Sequence, residues 1–174
     1  FDQTCSGIGI IGMLTRDRKL CELTNCIGED PKDIYASVAN DLFHVLQADL
    51  HSFDFGSARM AEIWLKHPID RTLTKGPCMT TVYGSRYFGI VEQLIEILQE
   101  RNPHQPLSNW DLAYTWPAKY LARKIQLLIG KRLKSCIALE TWLRGVSRSC
   151  LKQQRRIEFR TPTGWPMRLG SELT

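Results

Sequence analysis

The apolar positions of this chain recur mostly at helical spacing. Ile34, Val38, Leu42, Val45 and Leu46 lie three and four apart, which predicts a helix running to about Asp49. Asp30-Pro31 reads as its start: an aspartate can accept from the free N–H groups of a first turn, and proline suits the first helical position. Residues 51–57 read as a loop. A second helix, roughly 57–66, carries Met60, Ile63 and Trp64. A third runs from about Ile90 to Arg101, with Val91, Leu94, Ile95 and Leu98 inward, until Asn102-Pro103-His104-Gln105-Pro106 breaks it. After Trp116-Pro117 a long helical region extends to about Gln153, with an interruption expected near Gly130 or Gly145. At the start, small residues and an apolar run between Cys5 and Leu14 suggest a turn leading into a buried element. The end, Arg156 to Leu169, alternates and contains Pro162-Thr163-Gly164, the pattern of two short strands and a turn. The fold class read from this pattern is mainly α with a small β-hairpin (α+β).

A length of 174 residues suits one ordinary domain with a real core. Charges interrupt every apolar stretch, so no membrane partner is expected. Phe1-Asp2-Gln3-Thr4-Cys5 has neither a basic n-region nor an initiator Met, so it reads as neither a signal peptide nor a native start. The chain is expected to begin inside a larger protein. Six cysteines at 5, 21, 26, 78, 136 and 150 lack CxxC spacing, and the four histidines are scattered, which argues against zinc. Their count permits a disulfide framework, but nothing indicates secretion, and reduced thiols are the better reading.

Charge changes the picture more. The net charge is +5, unevenly placed. Residues 1–118 hold 10 Lys and Arg against 15 Asp and Glu, whereas residues 119–168 hold 13 against only Glu140 and Glu158. A segment this basic fits either a solvated helical face or a surface that meets a polyanion, and the second would bind in a salt-sensitive way.

Two short segments could carry chemistry. In residues 71–84, Arg71, Lys75, Met79 and Tyr83 are spaced by four, which on a helix keeps them to one face. Two like charges at this spacing repel, so helix stability does not favour the pair. A triphosphate would account for both: cations take the phosphates, while the groups one and two turns on meet sugar and base. An ordinary helix with two solvated cations also fits. Pro77 either kinks this helix or makes it begin near Gly76, and Gly84 reads as its stop. The second segment is Asp2-Gln3-Thr4-Cys5-Ser6-Gly7. Its acid could cap a turn or bind magnesium, a cation that prefers oxygen ligands.

In this order the two segments resemble the first and second catalytic motifs of phage-type (phage and mitochondrial) single-subunit DNA-dependent RNA polymerases. Asp33-Ile34-Tyr35 with Val38-Ala39, Gly84-Ser85-Arg86-Tyr87-Phe88-Gly89 and Thr161-Pro162-Thr163-Gly164-Trp165-Pro166 are similar to further landmarks of that family, in the same order. The resemblance covers nearly the whole chain. It implies the fingers subdomain of a right-hand polymerase plus the edge of its palm: residues 1–22 palm-side, 23–150 helical fingers, 151–174 a hairpin returning toward the palm. It also implies template-dependent ribonucleotidyl transfer with two Mg2+ ions. DNA template, RNA product, ribonucleoside triphosphates and the rest of the polymerase chain would be the partners. The location would be intracellular, in a host cytoplasm or an organelle.

The same resemblance implies roles. Asp2 would be one of two metal-holding aspartates, and the backbone carbonyl of Gln3 would add a ligand. Arg71 and Lys75 would contact the triphosphate, with Lys75 stabilising charge on the leaving pyrophosphate or giving it a proton. Met79 would belong to the same nucleotide-binding face. Tyr83 would sit at sugar and base, and Tyr35 near the nucleotide. Ser6, Gly7, Gly84 and Ser85 would lie along the template. Three departures stand out. Gln3 replaces a usual glycine, Gly9-Ile10 replaces a polar pair, and no His-Asp pair, which would supply the second metal aspartate, occurs anywhere. The chain is therefore expected to be inactive alone. A family A DNA polymerase is the nearest alternative, but it would carry an aromatic at the position of Met79. A non-catalytic helical nucleic-acid binder, stacking bases on Trp142 or Trp165, is the other.

Overall fold

The computed structural model describes residues 5–82, 84–85, 87–102, 111–153 and 155–169. Within them the chain forms eight α-helices and one hairpin: α1 Ser6–Leu14, α2 Arg18–Leu23, α3 Ile34–Leu50, α4 Phe55–Leu65, α5 Arg71–Val82, α6 Tyr87–Arg101, α7 Trp116–Arg132, α8 Lys134–Lys152, β1 Ile157–Arg160 and β2 Pro166–Leu169. A single π-turn, Asp111–Thr115, leads into α7. The expectation of a mainly helical chain with a small hairpin holds.

The long helix α3 is the centre of the core. Its inward face, Ile34, Val38, Leu42 and Leu46, is buried and packs on α4, α5 and α7. Trp64 of α4 is fully buried, and its indole N–H donates to the carbonyl of Pro117 at 2.9 Å, which satisfies the one polar atom that burial would otherwise strand. Leu121, Ala122, Ile125 and Ile129 of α7 complete this core, with Ile90, Leu94 and Leu98 of α6 against them.

The boundaries correct several expectations. Helix α3 starts at Ile34 and not after Asp30. Asp33 caps it, accepting from the N–H of Tyr35 at 2.8 Å and of Ala36 at 3.3 Å. The side chain of Asn25 clamps Lys32 through both its backbone N–H (2.7 Å) and its carbonyl (2.8 Å), which holds the approach to Asp33 as loop. The interruption between the last two helices falls at Leu133, while Gly130 and Gly145 lie inside α7 and α8. Leu133 is buried, its N–H bonds the carbonyl of Ile129 at 2.7 Å, and the hydroxyl of Ser135 donates to Asp17. Packing, and not glycine, places the elbow.

The apolar start of the chain proves to be helix α1, which lies so close to α2 that a Cβ on Gly12 would stand 3.2 Å from the sulfur of Cys21. Beyond the elbow, α8 leaves Trp142, Leu143, Val146 and Leu151 exposed. The hairpin is antiparallel, pairing Ile157 with Leu169 and Arg160 with Pro166, and its turn carries Gly164 at φ +90. None of the helices among the described residues is long and apolar enough to cross a membrane.

Candidate nucleotide and nucleic-acid site

Helix α5 is continuous from Arg71 to Val82 with Pro77 inside it, so the alternative of a later start at Gly76 does not hold. Its first turn is fixed by Asp70, whose side chain accepts from the N–H of Leu73 at 3.0 Å. Arg101, at the end of α6, donates to the carbonyl of Pro68 at 3.0 Å and pairs with Asp70 at 3.7 Å. Proline removes the N–H that would meet the carbonyl of Leu73. Past that gap the hydroxyls of Thr80 and Thr81 donate back to the carbonyls of Gly76 (3.0 Å) and Pro77 (2.7 Å). The helix closes in a Schellman motif. Ser85 N–H bonds the carbonyl of Thr80 at 2.9 Å, Gly84 N–H bonds that of Thr81 at 3.1 Å, and Gly84 takes φ +91.

The two faces of α5 differ. Leu73, Thr74, Pro77 and Cys78 are buried, Arg71 and Lys75 are exposed, and Met79 is half-buried against the core. Three members of the predicted stripe therefore share one side of one helix, and the fourth, Tyr83, lies outside the described residues. Asp2 and Gln3 lie outside them too.

The structure joins Arg71 to Tyr35, two residues 36 positions apart in sequence. The guanidinium stands 5.1 Å from the centroid of the Tyr35 ring, and its Nε donates to Asp33, the cap of α3. Burial pushes the Asp33 carboxyl up, but the Arg71 hydrogen bond and those from Ala36 and Tyr35 outweigh it and hold the group below the usual carboxylate range. Beneath this pair the buried hydroxyl of Thr74 donates to the carbonyl of Tyr35 at 2.8 Å. Tyr35 itself is 2% exposed. Burial first, then its hydroxyl's contact with the Cys5 thiol, pushes the phenol well above its ordinary range, so it stays protonated. Tyr35 thus supports Arg71 from below and links α5 to the chain just before Ser6.

The C-terminal end of α5 opens onto a cleft of about 720 Å³ between α7 and α8. Gly84 and Ser85 line it, together with Arg123, Glu140 and Arg144. Arg144 pairs with Glu140 at 2.6 Å, one turn away on α8. A second opening of about 450 Å³ continues past Gly84 to Arg148. Of the four residues expected along a template, Gly84 and Ser85 line the cleft. Ser6 is exposed at the start of α1 with Gly7 beside it, and neither lines the cleft. Sequence reasoning flagged the basic segment but not Arg123 or Arg144, because only the elbow at Leu133 brings them to one opening.

No group of three or more His, Cys, Asp or Glu side chains that could hold a metal ion occurs among the described residues. Asp2 and Gln3, the ligands expected for magnesium, lie outside that set.

Comparison with known proteins bears directly on this arrangement. A family model described as DNA-dependent RNA polymerase matches residues 1–170. The chain is 28% identical over 170 residues to DNA-directed RNA polymerase 1, mitochondrial, of Arabidopsis thaliana, covering 95% of this chain and 17% of that protein. It is 27% identical over 169 residues to DNA-directed RNA polymerase 2, chloroplastic/mitochondrial, of Nicotiana sylvestris, covering 95% of this chain and 16% of that protein. It is 29% identical over 168 residues to the DNA-directed RNA polymerase of Pseudomonas phage phiKMV, covering 94% of this chain and 20% of that protein. The chain thus spans a fifth or less of the length of these relatives. With the family matched across 170 of its 174 residues, the chain belongs to the phage-type DNA-dependent RNA polymerases.

Proposed function

We propose that this chain supplies the nucleotide-binding helix and part of the template path of a DNA-directed RNA polymerase. The observation that carries this reading is the continuity of α5. Its exposed side holds Arg71 and Lys75, and its C-terminal end opens onto a cleft lined by Arg123 and Arg144. Cations on the helix would take the triphosphate, and the cleft would take the template.

In this reading the residues divide the work. Arg71, oriented by Asp33 and Tyr35, presents a fixed fork of donors to phosphate oxygens. Lys75, one turn on, offsets the charge that develops on the leaving pyrophosphate or gives it a proton. Met79 and Tyr83 meet sugar and base. Ser6, Gly7, Gly84 and Ser85 lie along the template strand. Asp2 and the carbonyl of Gln3 would hold magnesium, which when bound lowers the pKa of an attacking hydroxyl and offsets charge on the leaving group. The segments are the palm edge (1–22), fingers (23–150) and returning hairpin (151–174). The rest of the polymerase covers the apolar side of α8.

The test is template-directed incorporation of ribonucleotides by the whole polymerase that contains this segment. Asp2→Ala should abolish incorporation, and Lys75→Ala should slow it by about 100-fold or more. Unchanged synthesis by Asp2→Ala would overturn the proposal.

A further inference from the structure

A further opening lies between α4 and α7. It is a cleft of about 550 Å³ between the start of α4 and the outer face of α7, lined by Gly56, Ser57 and Met60 on one side and Trp116, Lys119 and Arg123 on the other. Asp54 also faces it, with both carboxylate oxygens engaged by the N–H of Gly56 (3.1 Å) and the hydroxyl of Ser57 (2.6 Å). Trp116 is 58% exposed, so its indole face is open to the cleft. The ammonium of Lys119 stands 5.7 Å from its ring centroid. Among the described residues neither Lys119 nor Arg123 has a carboxylate partner.

Arg123 and Leu127 line both this cleft and the one at the end of α5. Trp116, Lys119, Arg123, Leu127 and Gly130 recur three and four apart, so they form one ridge of α7. The ridge rises about 21 Å from end to end. At about 3.4 Å per stacked step that is room for roughly six nucleotides. Helices α7 and α8 carry nine Lys and Arg against the single acid Glu140; Lys124, Arg132 and Arg144 are paired with Asp49, Asp41 and Glu140, and the remaining excess of cations favours a polyanion. A flat exposed indole beside cations that no carboxylate neutralises among the described residues is the chemistry that takes bases by stacking and backbone by charge.

We propose that the outer face of α7 is a track for single-stranded nucleic acid, with one base stacked on Trp116 in the α4–α7 cleft and the adjoining phosphates on Lys119 and Arg123. A base arriving on the indole displaces the Lys119 ammonium from the ring toward the phosphate. This track is separate from the α5 stripe and needs no triphosphate and no metal.

The experiment is binding of a fluorescein-labelled oligothymidylate of about twelve nucleotides to the 174-residue chain, followed by anisotropy across a salt series without nucleotide or magnesium. Trp116→Ala should weaken binding by about 5–150-fold, the loss of one stacked base, and leave the salt slope unchanged. Lys119→Gln should reduce the slope by about 0.7. Lys66→Gln, on the solvent side of α4, should match the parent, and circular dichroism checks that each variant folds. Parent-like binding by both Trp116→Ala and Lys119→Gln would overturn the track and leave the polymerase reading standing, as would a parent chain that does not bind the oligonucleotide. Loss of ribonucleotide incorporation in Asp2→Ala bears only on the polymerase reading.

Discussion

The hydroxyl of Thr74 in α5 donates to the backbone carbonyl of Tyr35 in α3 across a fully buried interface, at 2.8 Å. This contact sets the height of α5 on α3, and with it the position of Arg71 above the Tyr35 ring. Thr74→Val keeps the shape and removes the donor. It should lower stability by about 1 kcal/mol, read as a shift in the urea midpoint.

Asp33 ties the cap of α3 to Arg71. Its carboxyl is held below its ordinary value, so the folded state binds the proton less readily than the unfolded chain does. The stability this contributes is present above the unfolded pKa of about 4 and is lost as pH falls through the folded value. Asp33→Asn should therefore unfold at lower urea than the parent at pH 7, and the two midpoints should converge in acid. A gap that persists unchanged at low pH would show that charge is not the cause.

Lys75 and Arg71 should separate under substitution. Lys75 is exposed, and its removal to Ala should change stability by no more than about 0.5 kcal/mol. Arg71→Ala also removes the ion pair with Asp33 and the contact with Tyr35. Both variants should bind a fluorescent ribonucleoside triphosphate about tenfold or more weakly, but only Arg71→Ala should also shift the unfolding midpoint.

The thiols should react in an order set by burial. Burial pushes the Cys78 thiol up to about 12 and Cys136 up to about 11, which leaves almost no thiolate at neutral pH. Cys26 and Cys150 are partly exposed. Brief alkylation of the folded chain at pH 7.5, about one unit below the ordinary thiol pKa, followed by peptide mapping, should label Cys26 and Cys150 well before Cys78 and Cys136. Equal labelling would indicate that the core around α5 opens readily.

Most helices were legible because burial of one face imposes a period near 3.6, as in Ile34, Val38 and Leu42. Arg71, Lys75 and Met79 were placed on one side by their spacing of four alone, which the continuity of α5 makes a helical spacing. The start of α3 was not. Asp30 and Asp33 are equally able caps by residue type, and the choice between them lies in the Asn25 clamp on Lys32 and the Arg71 pair. The break at Leu133 carried no local signal, because neither leucine nor its neighbours disfavour helix strongly. Helix α2 is six residues long, too short for periodicity to register. The cleft between α7 and α8 was invisible in sequence because Arg123, Glu140 and Arg144 come to one opening only across that break. For Asp2, Gln3 and Tyr83 the reading still rests on the resemblance of their motifs.

The elbow at Leu133 has a consequence for the groove it shapes. One carboxylate oxygen of Asp17 accepts from the N–H of Leu20 and the other from the hydroxyl of Ser135, so a single side chain holds both the start of α2 and the start of α8. The gap between α7 and α8 is therefore gauged from outside, as the jaws of a calliper are held by a screw that never touches the object measured. A change at Asp17 would alter what fits the groove while every residue lining it stayed the same.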